Sequence, residues 1–244
     1  MTFYSDISVV YDDLFPVSPE QRALLDSLIG GGKLKAVTDC GCGTGAQLLP
    51  FAAAGLSCLG FDPDPSLIGI ARRKLATYPK TRAEVGAFAD LLLLTSFPSD
   101  LAMCLGNTLV HAPQEEAVRF LQDVARILTP GGAFLLQILN YERLRKAQAT
   151  DLPLLRAVEG AVEFRRRYEW ESDRKVRFQT TLRLPTAEGP RFLRNEIPLY
   201  PLYPDELWDN LLKAGFADVR FHGDFSRADF SPESEALVCL ARKW

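Results

Sequence analysis

The stretch Asp39-Cys-Gly-Cys-Gly-Thr-Gly-Ala46 constrains this chain more than any other. It follows a short apolar run, "KAVTDC", and precedes "QLLPFAAA" and Gly55. A buried strand therefore runs into a glycine-rich turn and then into a helix that Gly55 ends. Such a strand–turn–helix opens a β/α unit whose turn lets the backbone approach a nucleotide-like ligand. Two spacings fit. Gly41-x-Gly43-x-x-Ala46 satisfies the dinucleotide fingerprint, whereas Gly41-x-Gly43-x-Gly45 suits a different cofactor. The glycines alone do not choose between them.

Further units follow the same plan. Ser18-Pro19-Glu20-Gln21 starts an earlier helix with a serine cap, proline at the first helical position and a capping-box glutamine. "SCLGFD" reads as a second buried strand ending at Asp62, and "PSLIGIARRKLATY" as the helix after it. "DLAMCLGN" is another strand, and "PQEEAVRFLQDVARIL" a helix with Val118, Leu121, Ala125 and Leu128 on one stripe. "TPGG" reads as a turn before the buried strand "AFLLQILN". Buried strands alternating with helices predict a doubly wound, mostly parallel sheet covered on both faces. Ligands on such sheets bind beyond the carboxyl ends of the strands. Those ends are residues 40–45, Asp62, the region of Phe88, Leu105 to Asn107, and Asn140-Tyr141.

The pattern changes after about residue 155. "AVEFRRRYEWE" puts Val162, Phe164, Arg166, Tyr168 and Trp170 on one side and mostly charged residues on the other. "KVRFQTTLRLP" and "RFLRNEIPLY" alternate in the same way, so an antiparallel meander is expected. "DELWDNLLKAGF", "DVRFHGDF" and "ALVCLARK" then return to α/β. The expected organisation is one domain over residues 1–244, with an antiparallel insertion at 155–203.

Charge separates the two cofactor readings. Asp39 stands immediately before the turn, and a carboxylate there disfavours a pyrophosphate and favours a cation. S-adenosylmethionine brings an ammonium and a sulfonium, with only a carboxylate as its anionic part. Asp62 can accept both ribose hydroxyls in either cofactor, so it marks an adenosine-type ligand without choosing.

Composition sets the remaining bounds. The 244 residues carry a net charge of -3, with no general electrostatic drive towards nucleic acid or an anionic membrane. No secretory pattern or bilayer-length apolar run is evident, so a soluble cytoplasmic protein is expected. The cysteine count is odd, and Cys40-x-Cys42 lacks the second ligand pair of a structural zinc site. The cysteines are therefore read as reduced and structural, with no metal.

At this level the chain resembles the class I S-adenosylmethionine-dependent methyltransferases. The resemblance rests on "VTDCGCGTG", "GFDPDPSLIGIARRKL", "ILTPGGAFLLQILNYERL" and "LLKAGFADVRFHGDF", in that family's order. It implies a Rossmann-like seven-stranded sheet. It also implies that Asp39, Gly41, Gly43 and Gly45 hold the methionine end of the cofactor and Asp62 the ribose, with Cys42 and Pro63 as further cofactor contacts. Phe88, Asp90 and Leu105 complete the implied cofactor contacts. Many members carry an acid after the third strand that receives the adenine amino group; here Ala87 stands in that place, leaving Asp90, or the backbone amide and ring of Phe88.

"CLGNTLVH", "LNYERL" and "YDDL" look like the branch that includes the glycine and glycine/sarcosine N-methyltransferases. That branch implies a small-molecule acceptor, more an amine or amino acid than an alcohol, and leaves a homodimer open. Asn107 would lie beside the acceptor or cap a strand end, and Tyr11 would close over the cofactor or simply pack. His111 is either a proton acceptor or a helix-entry histidine. The insertion would form a lid whose arginines are mostly solvated, with Arg166 turned inward to clamp a substrate carboxylate. Tyr141, Tyr200 and Tyr203 are the other candidate substrate contacts. The fourth strand lacks the Asn/Asp-Pro-Pro-Tyr of methyltransferases that act on nucleic-acid bases. An NAD-linked oxidoreductase and a non-catalytic cofactor-binding protein are the rival readings.

Overall fold

The computed structural model describes residues 7–244, so the first six residues of the expected domain lie outside it. Its strands are β1 (Ala36–Cys40), β2 (Ser57–Asp62), β3 (Thr81–Val85), β4 (Ser99–Cys104), β5 (Leu128–Leu139), β6 (Leu155–Ala157), β7 (Val162–Ser172), β8 (Lys175–Leu184), β9 (Arg191–Leu199), β10 (Phe216–His222) and β11 (Ala236–Lys243). Seven of them form one sheet in the order β3-β2-β1-β4-β5-β11-β10. β1 pairs in parallel with β2 and β4, and β11 runs antiparallel to both β5 and β10. This is the mostly parallel sheet that the strand–helix alternation predicts, with the seven strands and Rossmann-like order that the family resemblance implies.

Burial explains why these strands read as near-continuous apolar runs. Every residue of β1 is buried, and so is all of β2 after Ser57. One face packs Phe120, Leu121 and Val124 of the helix Gln114–Ile127 against Ala102, Cys104 and Phe134. The other packs Leu24 and Leu25 of the helix Pro19–Gly30, and Ile68, Ala71 and Leu75 of the helix Pro65–Leu75, against Val37, Cys58 and Leu101. A sheet covered on both faces leaves no polar side for alternation to mark. All five cysteines are free and buried in these layers.

Local signals place the helix starts. Ser18 accepts the Gln21 amide at 3.1 Å, with Pro19 at the first helical position. Asp64 accepts the amides of Ser66 at 2.8 Å and Leu67 at 3.1 Å, again ahead of a proline. Three expectations shift. The helix after the glycine turn is only Leu49–Ala53, because residues 41–48 are spent on turns. The stripe of the helix Gln114–Ile127 runs through Ala117, Phe120, Leu121, Val124 and Ala125; Val118 is half-exposed and Leu128 already begins β5. "TPGG" is an irregularity inside β5 rather than a turn before it, with Gly131 at φ 74° and the register against β4 shifted between Ser99 and Leu101.

β6 to β9 form a second, antiparallel sheet between β5 and β10. Phe164 lies opposite Leu182, and Tyr168 opposite Phe178. Val162, Phe164, Tyr168, Val176 and Leu182 are buried on its inner face. Phe164 and Leu182 pack with Ile7 and Leu14 of the N-terminal segment, whereas Tyr168 and Val176 join the main core. The outer face is ion-paired and exposed: Arg177 meets Glu171 at 2.7 Å and Arg165 meets Glu163 at 3.6 Å. β6 carries too few residues for its alternation to show in the sequence. No helix among the described residues is long and apolar enough to cross a membrane.

Candidate active site

The strand order reverses between β1 and β4, and the carboxyl ends of these neighbours open a crevice. The glycine turn closes one side of it. The amides of Gly41 and Cys42 both donate to the Phe61 carbonyl, at 2.8 and 3.0 Å, which ties the turn to β2. The Gly43 amide donates to Asp62 Oδ2 at 3.0 Å, and the Asp64 amide to Asp62 Oδ1 at 2.9 Å. Gly41 has φ 79°, and a Cβ there would overlap Thr108 Cγ2. At Gly43, φ 53°, a Cβ would stand 3.3 Å from the Tyr11 ring. The turn is glycine because of both backbone sign and space.

Beneath the turn lies Asp39, 1% exposed. Its Oδ2 has no hydrogen-bond partner. Burial, and then the charge of Asp62, push its carboxyl up to about 7. Burial raises Asp62 as well, against the lowering effect of its bonds to the Asp64 and Gly43 amides. Neither carboxylate forms an ion pair among the described residues. The nearby lysine, Lys74, is instead committed to Asp12 and Thr44, a contact that holds the segment carrying Tyr11 against the turn. Two buried carboxylates without a cation favour a positively charged ligand.

Two cavities meet at this crevice. One, of about 280 Å³, includes Gly41, Asp62, Pro63, Phe88 and Glu116 in its wall. The other, of about 290 Å³, includes Gln47, Asn107, Gln137, Phe164, Arg166 and Tyr168. Tyr11, Gly106 and His111 line both. Burial lowers the His111 imidazole to about 4, so it is neutral near pH 7 and resists taking up a proton, which disfavours it as a general base.

Arg166 is the inward arginine of the second sheet. Its Nη2 donates to the Pro153 carbonyl at 2.9 Å, and its guanidinium lies 5.9 Å from the centre of the Phe164 ring. Its Nε is buried without a partner, and it forms no ion pair among the described residues. Asn107 lines the same cavity in a left-handed conformation, φ 63°. Its amide group is occupied: Nδ2 donates to the Tyr141 hydroxyl at 2.9 Å, and Oδ1 accepts the Leu139 amide at 2.9 Å. The Tyr141 hydroxyl in turn stands 3.4 Å from that of Tyr168, on the cavity wall.

Several expected contacts lie off both walls. Cys42 is buried against the position where a Cβ on Gly60 would sit, Gly45 faces Ala71 and Leu75, and Leu105 packs in the core. Asp90 turns back to accept the Ala87 amide at 2.9 Å, which takes it away from the cavity. Tyr141 is wholly buried behind Tyr168. The Tyr203 hydroxyl donates to the Asp173 carbonyl, with its ring beneath Arg145, and Tyr200 bonds through its amide to Val110. Sequence reasoning missed Gln137, whose Oε1 accepts the Gly106 amide at 2.8 Å and shapes the shared wall. A lone glutamine inside the apolar run "AFLLQILN" was the available signal. It also missed Thr108, Glu116 and Phe15, which only the fold brings to the crevice.

Comparison with known proteins adds to this geometry. Residues 37–132 match a family described as a methyltransferase domain. A cypemycin N-terminal methyltransferase from Streptomyces is 33% identical over 115 residues, which cover 46% of this chain and 45% of that protein. The chain spans about half the length of the curated relatives it matches. Among solved structures, an S-adenosylmethionine-dependent methyltransferase from Clostridium acetobutylicum is similar with TM-score 0.80 and 16% identity, over 99% of each chain. The sugar N-methyltransferase KedS8 from Streptoalloteichus is similar with TM-score 0.73 and 17% identity, over 96% of this chain and 91% of its own.

Proposed function

We propose that this protein transfers a methyl group from S-adenosylmethionine to a small amine acceptor, amino-acid-like in carrying an anionic group. The observation that supports the cofactor is the pair of buried carboxylates, Asp39 with an orphaned oxygen and Asp62, beside a turn that admits no Cβ at Gly41. A dinucleotide would set its pyrophosphate against these charges, which disfavours the NAD-linked reading. When bound, the cofactor supplies a sulfonium-borne methyl group, taken by an acceptor lone pair as the carbon–sulfur bond breaks and its electrons stay on sulfur. The methyltransferase-domain match over residues 37–132 supports the same reading.

The chain's own residues position and protect this reaction. Gly41 and Asp62 hold the cofactor in the first cavity, and Asp39 supplies charge from below. Tyr11, latched through Asp12 and Lys74, covers the junction and keeps water out. The second sheet closes over the acceptor as a lid, because Phe164, Arg166, Tyr168 and Phe178 of its inner face line that cavity. His111 sits neutral on the shared wall, where burial disfavours a charged imidazole, so an amine acceptor has to arrive already deprotonated. Asn107 acts behind it, holding Tyr141 and through it Tyr168. Arg166 has a free Nε for a carboxylate on the acceptor. The similar proteins include N-methyltransferases and a ubiquinone biosynthesis O-methyltransferase, so nitrogen as the attacking atom is the choice that the acceptor experiment has to test.

Calorimetry with S-adenosylmethionine and NAD, followed by a search for S-adenosylhomocysteine formation with amino acids, amines and amino sugars, tests this. NAD binding without S-adenosylmethionine binding would sink the cofactor, and tight binding with no turnover on any acceptor would leave only a binding protein. For Arg166→Met, the KM of an anionic acceptor is expected to rise about tenfold or more, with cofactor affinity unchanged. An unchanged KM would remove Arg166 from acceptor binding.

A further inference from the structure

The adenine end of the cofactor cavity lacks the acid that usually serves it. The turn after β3 places Gly86, Ala87, Phe88 and Ala89 on the wall, and none has a polar side chain. Asp90 is spent on the Ala87 amide. The polar wall residues Tyr11, Thr108 and His111 surround the glycine turn and the junction with the second cavity, and Asp62 ends β2. That leaves Glu116.

Its placement follows from the packing of the helix Gln114–Ile127. Phe120 of this helix lies 4.3 Å, centre to centre, from the Phe88 ring. Glu116 is one turn earlier on the same helix face, which brings it over the Ala87–Ala89 stretch. It is exposed at the cavity wall, and its carboxylate forms no hydrogen bond or ion pair among the described residues. A carboxylate in the first helical turn also suits the helix dipole. Glu115 serves that purpose equally and is off the wall, so the dipole does not account for Glu116 facing the cavity.

We propose that Glu116 receives the amino group of the cofactor's adenine, replacing an acid after β3 with one carried on the helix after β4. This rests on the S-adenosylmethionine reading above. The site would then select a purine with a hydrogen-bond donor at C6.

The test compares S-adenosylhomocysteine with its 6-deamino (purine) analogue by calorimetry. Wild type is expected to bind the adenine compound about tenfold more tightly than the analogue. Glu116→Ala should bind both alike, at the weaker affinity, with an unchanged melting curve because the side chain is exposed. Adding Ala87→Asp to Glu116→Ala should restore the preference, since position 87 shares the same wall. Equal binding of the two ligands by wild type, or a preference that survives in Glu116→Ala, overturns the proposal. If wild type binds neither compound, the cofactor reading falls, and this inference with it.

Discussion

Gly41→Ala is expected to reduce cofactor affinity on the order of a hundredfold and to lower the melting temperature by roughly 5–15 °C. Two separate costs produce this. The backbone at Gly41 has φ 79°, where alanine loses about 1–2 kcal/mol relative to its preferred conformations. The new Cβ would also overlap Thr108 Cγ2 and stand 3.3 Å from Thr108 Cβ, adding about 1–3 kcal/mol of overpacking. Relief requires the turn to move away from the segment after β4, which separates the two sides of the crevice. Calorimetry and thermal melts of the single variant and of Gly41→Ala with Thr108→Ser distinguish the two costs. Removing the Thr108 methyl should recover the overlap part of the stability loss and leave the conformational part. A Gly41→Ala protein that binds the cofactor normally would show that the turn is not part of its site.

Cofactor affinity is expected to fall with pH, by about tenfold for each unit below 7, and to be nearly flat in Asp39→Asn. In the free protein Asp39 holds its proton up to about 7, because burial and the charge of Asp62 penalise ionisation. A cationic ligand prefers the ionised carboxylate, so binding below that value must expel the proton. The cofactor's amine stays charged across the same range, since amines of this type titrate near 8. Stability of the ligand-free protein moves the other way. The folded-state value lies above the usual 3.8, so Asp39's contribution is fully present below pH 3.8 and lost as pH rises through about 7. The loss is on the order of 4 kcal/mol. Asp39→Asn should therefore bind weakly at every pH and melt no lower than wild type at pH 8. Calorimetry between pH 5 and 7.5, in buffers of different ionisation enthalpy, reads the released proton directly. A pH-independent affinity would show that Asp39 does not sense the ligand's charge.

Much of the scaffold was legible before the structure because its causes are local. Buried strands declared themselves as apolar runs, Ser18 marked its helix start through cap chemistry, and the period of two in "AVEFRRRYEWE" put Arg166 on the apolar side. The same local logic failed where packing sets the outcome. The short "QLLPFAAA" helix lost its first residues to the turns that position Gly41 to Gly45. Tyr141 stands at a strand end and Tyr200 and Tyr203 at the end of the insertion, and nearness in sequence does not fix which wall a ring reaches. Tyr141 instead became a buried strut, because its hydroxyl had Asn107 to bond and its ring had Tyr168 to pack against.

The sequence by itself determined the sheet, the position of the glycine turn and the carboxylate beneath it. Each of these depends on a contiguous stretch: alternating apolar runs, a strand leading into glycines, and Asp39 at the junction. Only the tertiary structure decided which side chains share a wall. Thr108 against Gly41 and His111 between two cavities come from the turn after β4, Arg166 with an unpartnered Nε from β7, and Glu116 on a wall with Phe88 from the helix Gln114–Ile127. Their proximity follows from strand order and helix packing, which act over distances in sequence that no local pattern records.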